Sequence, residues 1–376
     1  MNIKSFICSI SVILNGLILC GCITEFEAKD INEMEGILVV EGIITDDESV
    51  ITLSQSKGLT YDDNILDISP YHVNGAKVYI ECDDGTQWSA LVPPDSKSGG
   101  QYAIKTGKLN PERQYRLKIE HEEHKYHSEF AYPMATSEID SVFWTKRGNG
   151  QPVNIHVATH APDSMIHYYR WSYTEVWEVR AKVYLLGFPF YCITTSKSGE
   201  ILLGTNEGTA FGRLIEIIAK IPPTDNRFMF MYRMDVAQHA ISKRAYDYYT
   251  NVKKNSRQTG NLFAHIPSEL KGNISCITDP GRPVIGYMDV SSAAQKRLYI
   301  NFEVYEDPNL MIPEQFRKPE CNLIYYWFVP NFIWYVLYRP DLYIDIRCVD
   351  CQAAGGTSIK ELPDDWPYQF TIEAWD

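Results

Sequence analysis

Three histidines and two glutamates cluster within a short stretch and form the most chemically suggestive group in the sequence. Residues 121–127 read His121, Glu122, Glu123, His124, Lys125, Tyr126 and His127. Imidazole and carboxylate groups are good ligands for zinc or copper. The spacing differs from that of a zinc-hydrolase helix, in which two histidines four residues apart enclose a glutamate. His121, His124 and His127 are therefore weak metal candidates. We expect them to be solvated residues at a hairpin tip, with no metal or cofactor.

Cys348 and Cys351 form the second group that could do chemistry. A redox-active pair at this spacing requires a βαβ setting in which the first cysteine begins a helix. Here the pair follows a strand-like stretch and precedes two consecutive glycines. This setting favours a structural disulfide. Metal binding together with Cys192 and Cys321, or redox catalysis, remain the alternatives.

The N-terminus has the pattern of an export signal. Residues 6–19 are mainly apolar and shorter than the ~20 residues that span a bilayer, but they suit a signal-peptide core. Leu19 and Gly21, at positions −3 and −1 before Cys22, form the lipobox of bacterial lipoproteins. We therefore predict removal of residues 1–21 and acylation (palmitate included) of Cys22. The alternative is an ordinary secretory signal with incidental cysteines.

The composition is that of an ordinary globular protein with an acidic balance. The chain has 376 residues, 45% of them hydrophobic and 22% charged, and a formal net charge of −13. Nucleic-acid affinity comes mainly from Lys and Arg neutralising phosphates, so an acidic chain without a basic block is a poor nucleic-acid binder. The same balance argues against electrostatic adhesion to an anionic membrane.

The hydrophobic pattern predicts a mainly β protein with two β-sandwich-like domains. After a polar tether at residues 22–35, about seven short strands with turn signals between them occupy residues 36–133, which is typical of a sandwich of immunoglobulin or transthyretin type. A β-rich second domain at residues 134–376 carries a cysteine-containing tail. It also holds one helix at residues 243–258, which Ser242 caps and an apolar stripe through Ala245 and Tyr249 stabilises.

An exported chain meets an oxidising compartment, which favours disulfides. Apart from Cys8, Cys20 and Cys22, the cysteines are Cys82, Cys192, Cys276, Cys321, Cys348 and Cys351. Four cysteines allow three pairings, so the sequence does not fix the connectivity. Cys82 and Cys276 are expected to be free buried thiols.

An aromatic-rich segment at residues 323–338 has two interpretations. It can supply core strands joined by a turn, because Pro330 interrupts it and argues against a membrane span. Alternatively it presents a partner or ligand surface, since Trp and Tyr dominate binding hot spots. Trp327, Trp334 and Tyr335 are the candidates for that surface.

Several motifs in the same order resemble a family of outer-membrane lipoproteins of Bacteroidota known as domain of unknown function 4249. The matching stretches are residues 38–45, 74–78, 139–144, 226–228, 245–249, 258–263, 272–274, 284–287, 348–351 and 355–357. The resemblance implies a lipid-anchored protein of the outer membrane, on a face that the sequence does not determine. Members are often encoded beside TonB-dependent receptors, which implies an accessory role. Members also tend to carry cysteines at the positions of Cys192, Cys321, Cys348 and Cys351.

Three function classes fit the sequence. The first is a binding protein that captures an unidentified ligand for a TonB-dependent transporter or docks onto it. The others are a surface hydrolase acting on nutrients and a purely structural envelope lipoprotein. No nucleophile elbow, phosphate loop or dinucleotide fingerprint is present, so no catalytic residue is assigned and we expect no enzyme. That absence and the family resemblance favour the binding protein.

Overall fold

The computed structural model describes residues 36–56, 60–62, 65–67, 71–90, 99–147, 151–161, 167–181, 189–209, 212–222, 225, 227–228, 230–258, 271–300, 346–357 and 366. Within them the chain is mainly β with one α-helix, which confirms the predicted class. The predicted signal peptide 1–21 and tether 22–35 lie outside the described residues. So do Cys22, Cys321, Trp327, Trp334 and Tyr335.

The described strands and the helix follow one another along the chain in a fixed order. They are β1 Leu38–Glu41, β2 Asp47–Gln55, β3 Thr60–Asp62, β4 Ile65–Asp67, β5 Tyr71–His72, β6 Lys77–Cys82, β7 Gln87–Ser89, β8 Gln101–Gly107, β9 Tyr115–His121, β10 His124–Ser128, β11 Ile139–Thr145, β12 Val153–His160, β13 Tyr168–Arg180, β14 Tyr191–Lys197, β15 Leu202–Thr205, β16 Arg213–Ile221, β17 Tyr232–Ile241, α1 Lys243–Gln258, β18 Ile274–Cys276, β19 Val284–Gly286 and β20 Ala293–Ile300.

The first sandwich consists of two sheets with a shared core. One sheet has the order β19-β1-β2-β5, with β8 also pairing β2, and the other has the order β18-β10-β9-β6-β7. Alternate residues of a strand point to the same side, so each sheet directs one apolar row inwards. The two rows meet in one cluster that includes Leu38, Val40, Ile51, Leu53, Val78, Ile80, Tyr102, Leu117, Ile119 and Tyr126.

Two strands of the first sandwich come from a part of the sequence that was predicted to belong to the second domain. β19 pairs in parallel with β1, and β18 pairs antiparallel with β10. Ile274, Cys276 and Met288 accordingly lie in the first core. The predicted division after residue 133 is therefore corrected. The first sandwich also needs residues 274–290, because β1 and β10 would otherwise present open sheet edges.

The second sandwich packs a three-stranded sheet against a larger one. The small sheet has the order β11-β12-β16, and the large one has the order β14-β13-β17-β20, with β15 also pairing β13. The burial of β12 and β17 alternates residue by residue, as expected of strands with one face in a core. Their inward side chains meet in a cluster that includes Ile155, Val157, Tyr169, Trp171, Met234 and Val236.

The helix α1 begins and ends at the predicted residues. The Ser242 hydroxyl accepts a hydrogen bond from the Ala245 N–H at 3.1 Å, which is the predicted N-cap. The stripe of Ala245, Tyr248 and Tyr249 is buried. It packs against Tyr287 and the outer face of β13 and β15. In the part of the chain that the structure describes, no helix is long and apolar enough to cross a bilayer.

Polar contacts and bridges join the two sandwiches beside α1. The Asp289 carboxylate accepts hydrogen bonds from the Ser242 N–H at 3.0 Å and from its hydroxyl at 3.1 Å. Burial raises the pKa of Asp289, and the Ser242 hydrogen bonds oppose that rise. Nearby, single bridges pair Ile44 with Val290 and Met134 with Ser291. The second sandwich is therefore tied to the strands that complete the first.

Candidate functional site

The outer face of the β14-β13-β17-β20 sheet carries a row of polar side chains. Trp171 and Met234 point into the core, so the residues that alternate with them along β13 and β17 point outwards. The strand register sets Thr174 opposite Asp235, and Asp235 opposite Arg297. Lys197 lies opposite Thr174 on the other side. One transverse row of Lys197, Thr174, Asp235 and Arg297 therefore crosses four strands.

This row lies in a groove of about 700 Å³. Ser172, Thr174 and Ala237 form the floor, and their short side chains leave the space open. One wall comes from the end of β14 and the following Ser198, and the other comes from β20. Ser198 is fixed in place because its hydroxyl accepts a hydrogen bond from the Tyr173 N–H at 3.1 Å while its own N–H donates to the Tyr173 carbonyl at 2.9 Å.

The groove has more cations than carboxylates. The charged residues that line it are Lys197, Lys296, Arg297 and Asp235. The Arg297 Nε donates to Asp235, and the Arg233 Nε lies 3.1 Å from the other oxygen of that carboxylate. Lys197 and Lys296 are exposed and have no hydrogen bond or ion pair to the residues that the structure describes. The carboxylate is thus neutralised locally, and Lys197 leaves positive charge at one wall. Lys296 lies opposite the buried Val236, so its side chain points away from this outer face.

A buried ion pair supports the floor from the core side. Glu175 accepts two 2.9 Å hydrogen bonds from Arg227 Nη1 and one of 2.6 Å from the Tyr232 hydroxyl. The Arg227 guanidinium also lies over the Trp177 ring, 5.2 Å from its centroid. Burial raises the pKa of Tyr232, and the Glu175 charge raises it further. The hydroxyl therefore remains a donor and fixes β17 to β13.

A half-buried histidine occupies the same outer face nearer α1. His239 pairs across the sheet with Arg170 on one side and Ala293 on the other. Burial, and to a smaller extent the charge of Arg170, lower the pKa of His239 to about 4, and a hydrogen bond with the Ser292 backbone partly opposes the shift. Its Nδ1 is buried with no hydrogen-bond partner in the described part of the chain. The ring is therefore neutral near pH 7.

His121 and His124 lie at the predicted hairpin tip, but the expectation of solvated side chains is corrected, because all three histidines of the cluster are half-buried. Burial lowers the pKa of His121 and of His127. His121 and His124 face each other across β9 and β10, and Glu122 makes the turn with a φ of 53°. His127 is three residues beyond His124 on one strand and therefore points to the opposite face. The His124 Nδ1 instead lies 3.4 Å from the Thr278 hydroxyl. Within the described ranges, no group of three or more His, Cys, Asp or Glu side chains is placed to hold a metal.

The structure contains a disulfide between two of the four candidate cysteines. Cys192 on β14 is bonded to Cys351, with 5.7 Å between their Cα atoms. Gly356 lies against this bond, because a Cβ there would stand 2.5 Å from the Cys192 Cβ. Cys348, at the end of a 3-10 helix, is also disulfide-bonded. Cys82 and Cys276 are free and buried, as predicted.

A second depression lies on the outer face of the β11-β12-β16 sheet. The His160 Nδ1 is 2.7 Å from the Asp140 carboxylate at its edge, and the Phe143 and His156 rings stack 4.9 Å apart. Ile215 beside them is 60% exposed. Neither this face nor the groove was predicted from the sequence. The alternation within β13 and β17 was visible in the sequence, but the register that aligns their outward residues was not.

A family model agrees with the resemblance seen in the motifs. The model described as "Domain of unknown function (DUF4249)" matches residues 23–297. The chain belongs to this family. No curated protein matches the chain. Among solved structures, it is similar to a segment of two fibronectin type III domains from chicken tenascin, at 13% identity and a TM-score of 0.15. That match covers 55% of this chain and 91% of the tenascin chain.

Proposed function

We propose that this protein is a binding protein, anchored by lipid to the outer membrane, which holds a ligand in the groove for a TonB-dependent transporter. The groove on the second sandwich carries the proposal. It is a concave surface of about 700 Å³ whose floor is made of short polar or small side chains. Ligand sites are typically concave surfaces with a few well-placed polar groups.

The charges in the groove favour binding over hydrolysis. Asp235 is its single carboxylate among the described residues that line it, and two arginines already engage it. Glycoside hydrolysis generally uses a pair of carboxylates, one as acid and one as base or nucleophile. A single carboxylate held by two arginines is better suited to shaping a binding surface than to acid–base catalysis.

The cellular setting rests on the sequence. The lipobox before Cys22 supports lipid anchoring, and three acyl chains exceed the two signals that stable anchoring usually requires. Membership of the DUF4249 family supports an accessory role, because members are often encoded beside TonB-dependent receptors. We therefore propose that the ligand passes from the groove to such a receptor.

Filling the groove tests this proposal. Ala237→Trp places a large ring on the floor, between Ser172 and Gln295 in the strand register. Ala158→Trp is the matched control, since Ala158 is a similarly half-buried outward alanine that lines the second depression on the opposite sheet. Full-length protein is purified from detergent-solubilised membranes, and the co-purifying molecules are identified.

We expect the wild-type protein and Ala158→Trp to retain the same partner or ligand, and Ala237→Trp to lose it with an unchanged melting temperature. Equal recovery by both variants would contradict a role for the groove. Turnover of a nutrient polymer by the wild-type protein, abolished by Asp235→Asn, would favour the hydrolase instead.

A further inference from the structure

We infer that the groove takes an acidic oligosaccharide, a chain of hydroxyl-rich rings that carries uronate carboxylates or sulfate esters. This inference rests on the proposed function and names the ligand class of the same site. Three features of the groove carry it: its charge, the chemistry of its floor and its orientation across the strands.

The first feature is positive charge on an acidic protein. The whole chain has a formal net charge of −13, yet Lys197, Arg297 and the adjacent Arg233 surround a single carboxylate on the outer face of the groove. Arg297 and Arg233 both engage Asp235 and exceed its single negative charge, and Lys197 on the other wall is left facing the open space. Clefts lined by one sign of charge concentrate ligands of the opposite sign. The preferred ligand is therefore anionic.

The second feature is a floor made of short hydrogen-bonding groups. Ser172 and Thr174 each offer a hydroxyl that donates and accepts, and Gln295 beside them adds an amide. Ala237 lies between Ser172 and Gln295 and leaves room above the floor. Such groups match ligand hydroxyls, which also donate and accept. An acidic ligand with many hydroxyls can pair its negative charge with the cationic wall and form hydrogen bonds with the floor.

The third feature separates a sugar chain from an acidic peptide. Peptides that bind sheets usually add a strand to an edge through main-chain hydrogen bonds. The floor strands β13 and β17 are already paired on both sides at this level, so their main chains have no free edge. The charged row instead crosses four strands, a distance of about 14 Å at the usual strand spacing. An elongated ligand that binds through side chains fits this direction.

The test measures binding of defined probes to the full-length protein in detergent by calorimetry. The probes are an oligogalacturonate, a sulfated dextran oligosaccharide, an uncharged malto-oligosaccharide and a poly-glutamate peptide. We expect the oligogalacturonate or the sulfated dextran to bind, and whichever binds more tightly identifies the anion. Higher salt should weaken that binding. The uncharged chain and the peptide should bind at least tenfold more weakly.

Charge-neutralising variants test whether the cationic side chains at the groove contribute to binding of the acidic sugar. Lys197→Gln should weaken binding of the acidic sugar by roughly two- to fivefold, the range of an exposed charge pair. Lys296→Gln, on the opposite face of β20, should leave that binding nearly unchanged. Lys220→Gln, an exposed lysine on the opposite sheet, is the matched control and should change nothing. Ala237→Trp should abolish binding altogether.

Each failure has a distinct meaning. If the poly-glutamate peptide binds as tightly as the acidic sugar, the inference that the ligand is a sugar is overturned. If the uncharged malto-oligosaccharide binds as tightly, the inference that the ligand is anionic is overturned. If no probe binds while Ala237→Trp still loses its membrane-derived ligand, the inference is overturned and the proposed function stands. If Ala237→Trp loses nothing in either assay, the proposed function fails as well.

Discussion

Glu175→Ala is expected to destabilise the second sandwich strongly, because this carboxylate lies beneath the groove floor with its charge buried. Its side chain is 3% exposed, and it holds Arg227 and the Tyr232 hydroxyl through three hydrogen bonds. Those contacts join β13, β17 and the segment before β17. The alanine variant removes all three hydrogen bonds at once and leaves the Arg227 and Tyr232 donors in place.

The structure sets the size of the effect. Removing one partner of a buried ion pair costs ~3–5 kcal/mol. Arg227 is 27% exposed and retains Asp225 at 3.1 Å, so we expect the lower end, about 3 kcal/mol. At ~2–4 °C per kcal/mol for a domain of this size, the melting temperature should fall by roughly 6–12 °C. Tyr232→Phe loses one hydrogen bond to a charged acceptor and should cost about 1.5 kcal/mol.

Thermal and urea unfolding of the full-length protein, followed by circular dichroism, measure these changes. Glu48→Ala is the matched control, because Glu48 is 46% exposed and pairs with Lys105 only at 3.8 Å. It should cost less than about 1 kcal/mol. If Glu175→Ala proves as mild as Glu48→Ala, the buried carboxylate does not stabilise the sheet and the reasoning is refuted.

Three further predictions concern acid sensitivity, the disulfide and the lipid anchor. Because His239 has a folded pKa of about 4 against 6.5 when unfolded, its contribution to stability is complete above pH 6.5. It is lost as the pH falls to 4, by about 3 kcal/mol. His239→Gln should flatten the plot of unfolding free energy against pH between pH 6.5 and 4. An unchanged slope would show that His239 does not cause the acid sensitivity. Cys351→Ser should cost ~2–5 kcal/mol, and peptide mapping without reduction should show Cys192 linked to Cys351 in the wild-type protein only. Cys22→Ala should release the protein from membranes, and a variant that still sediments after a salt wash would disprove the single anchor.

Local sequence signals predicted local structure well. The cap at Ser242 and the stripe through Tyr249 gave the helix its bounds, because both depend on residues within a few turns of each other. The hairpin at His121 and His124 was likewise set by neighbouring residues, with Glu122 turning the chain. Such signals act over short distances and need no knowledge of the remaining chain.

Long-range pairing could not be read in the same way. β1 and β19 pair in parallel although almost the whole described chain lies between them, with Leu38 opposite Val284. Short apolar runs specify a strand but not its neighbour. The groove depends on the same missing information, since Thr174, Asp235 and Arg297 form a row only in the register that the folded sheet adopts.

The return of the chain to the first sandwich also fixes the orientation of the groove relative to that sandwich. β19 pairs with β1, the first described strand after the predicted tether, and the chain then runs past Asp289 directly into β20, which forms a wall of the groove. Along this path Tyr249 donates a hydrogen bond to the Tyr287 carbonyl at 2.9 Å, and Arg244 on α1 pairs with Glu129 of the first sandwich at 2.8 Å. A hinge between the sandwiches would have to break these contacts together. We therefore expect the groove to keep a fixed orientation relative to β1. If the proposed lipid anchor is present, the predicted tether before β1 then sets how far the groove stands from the membrane.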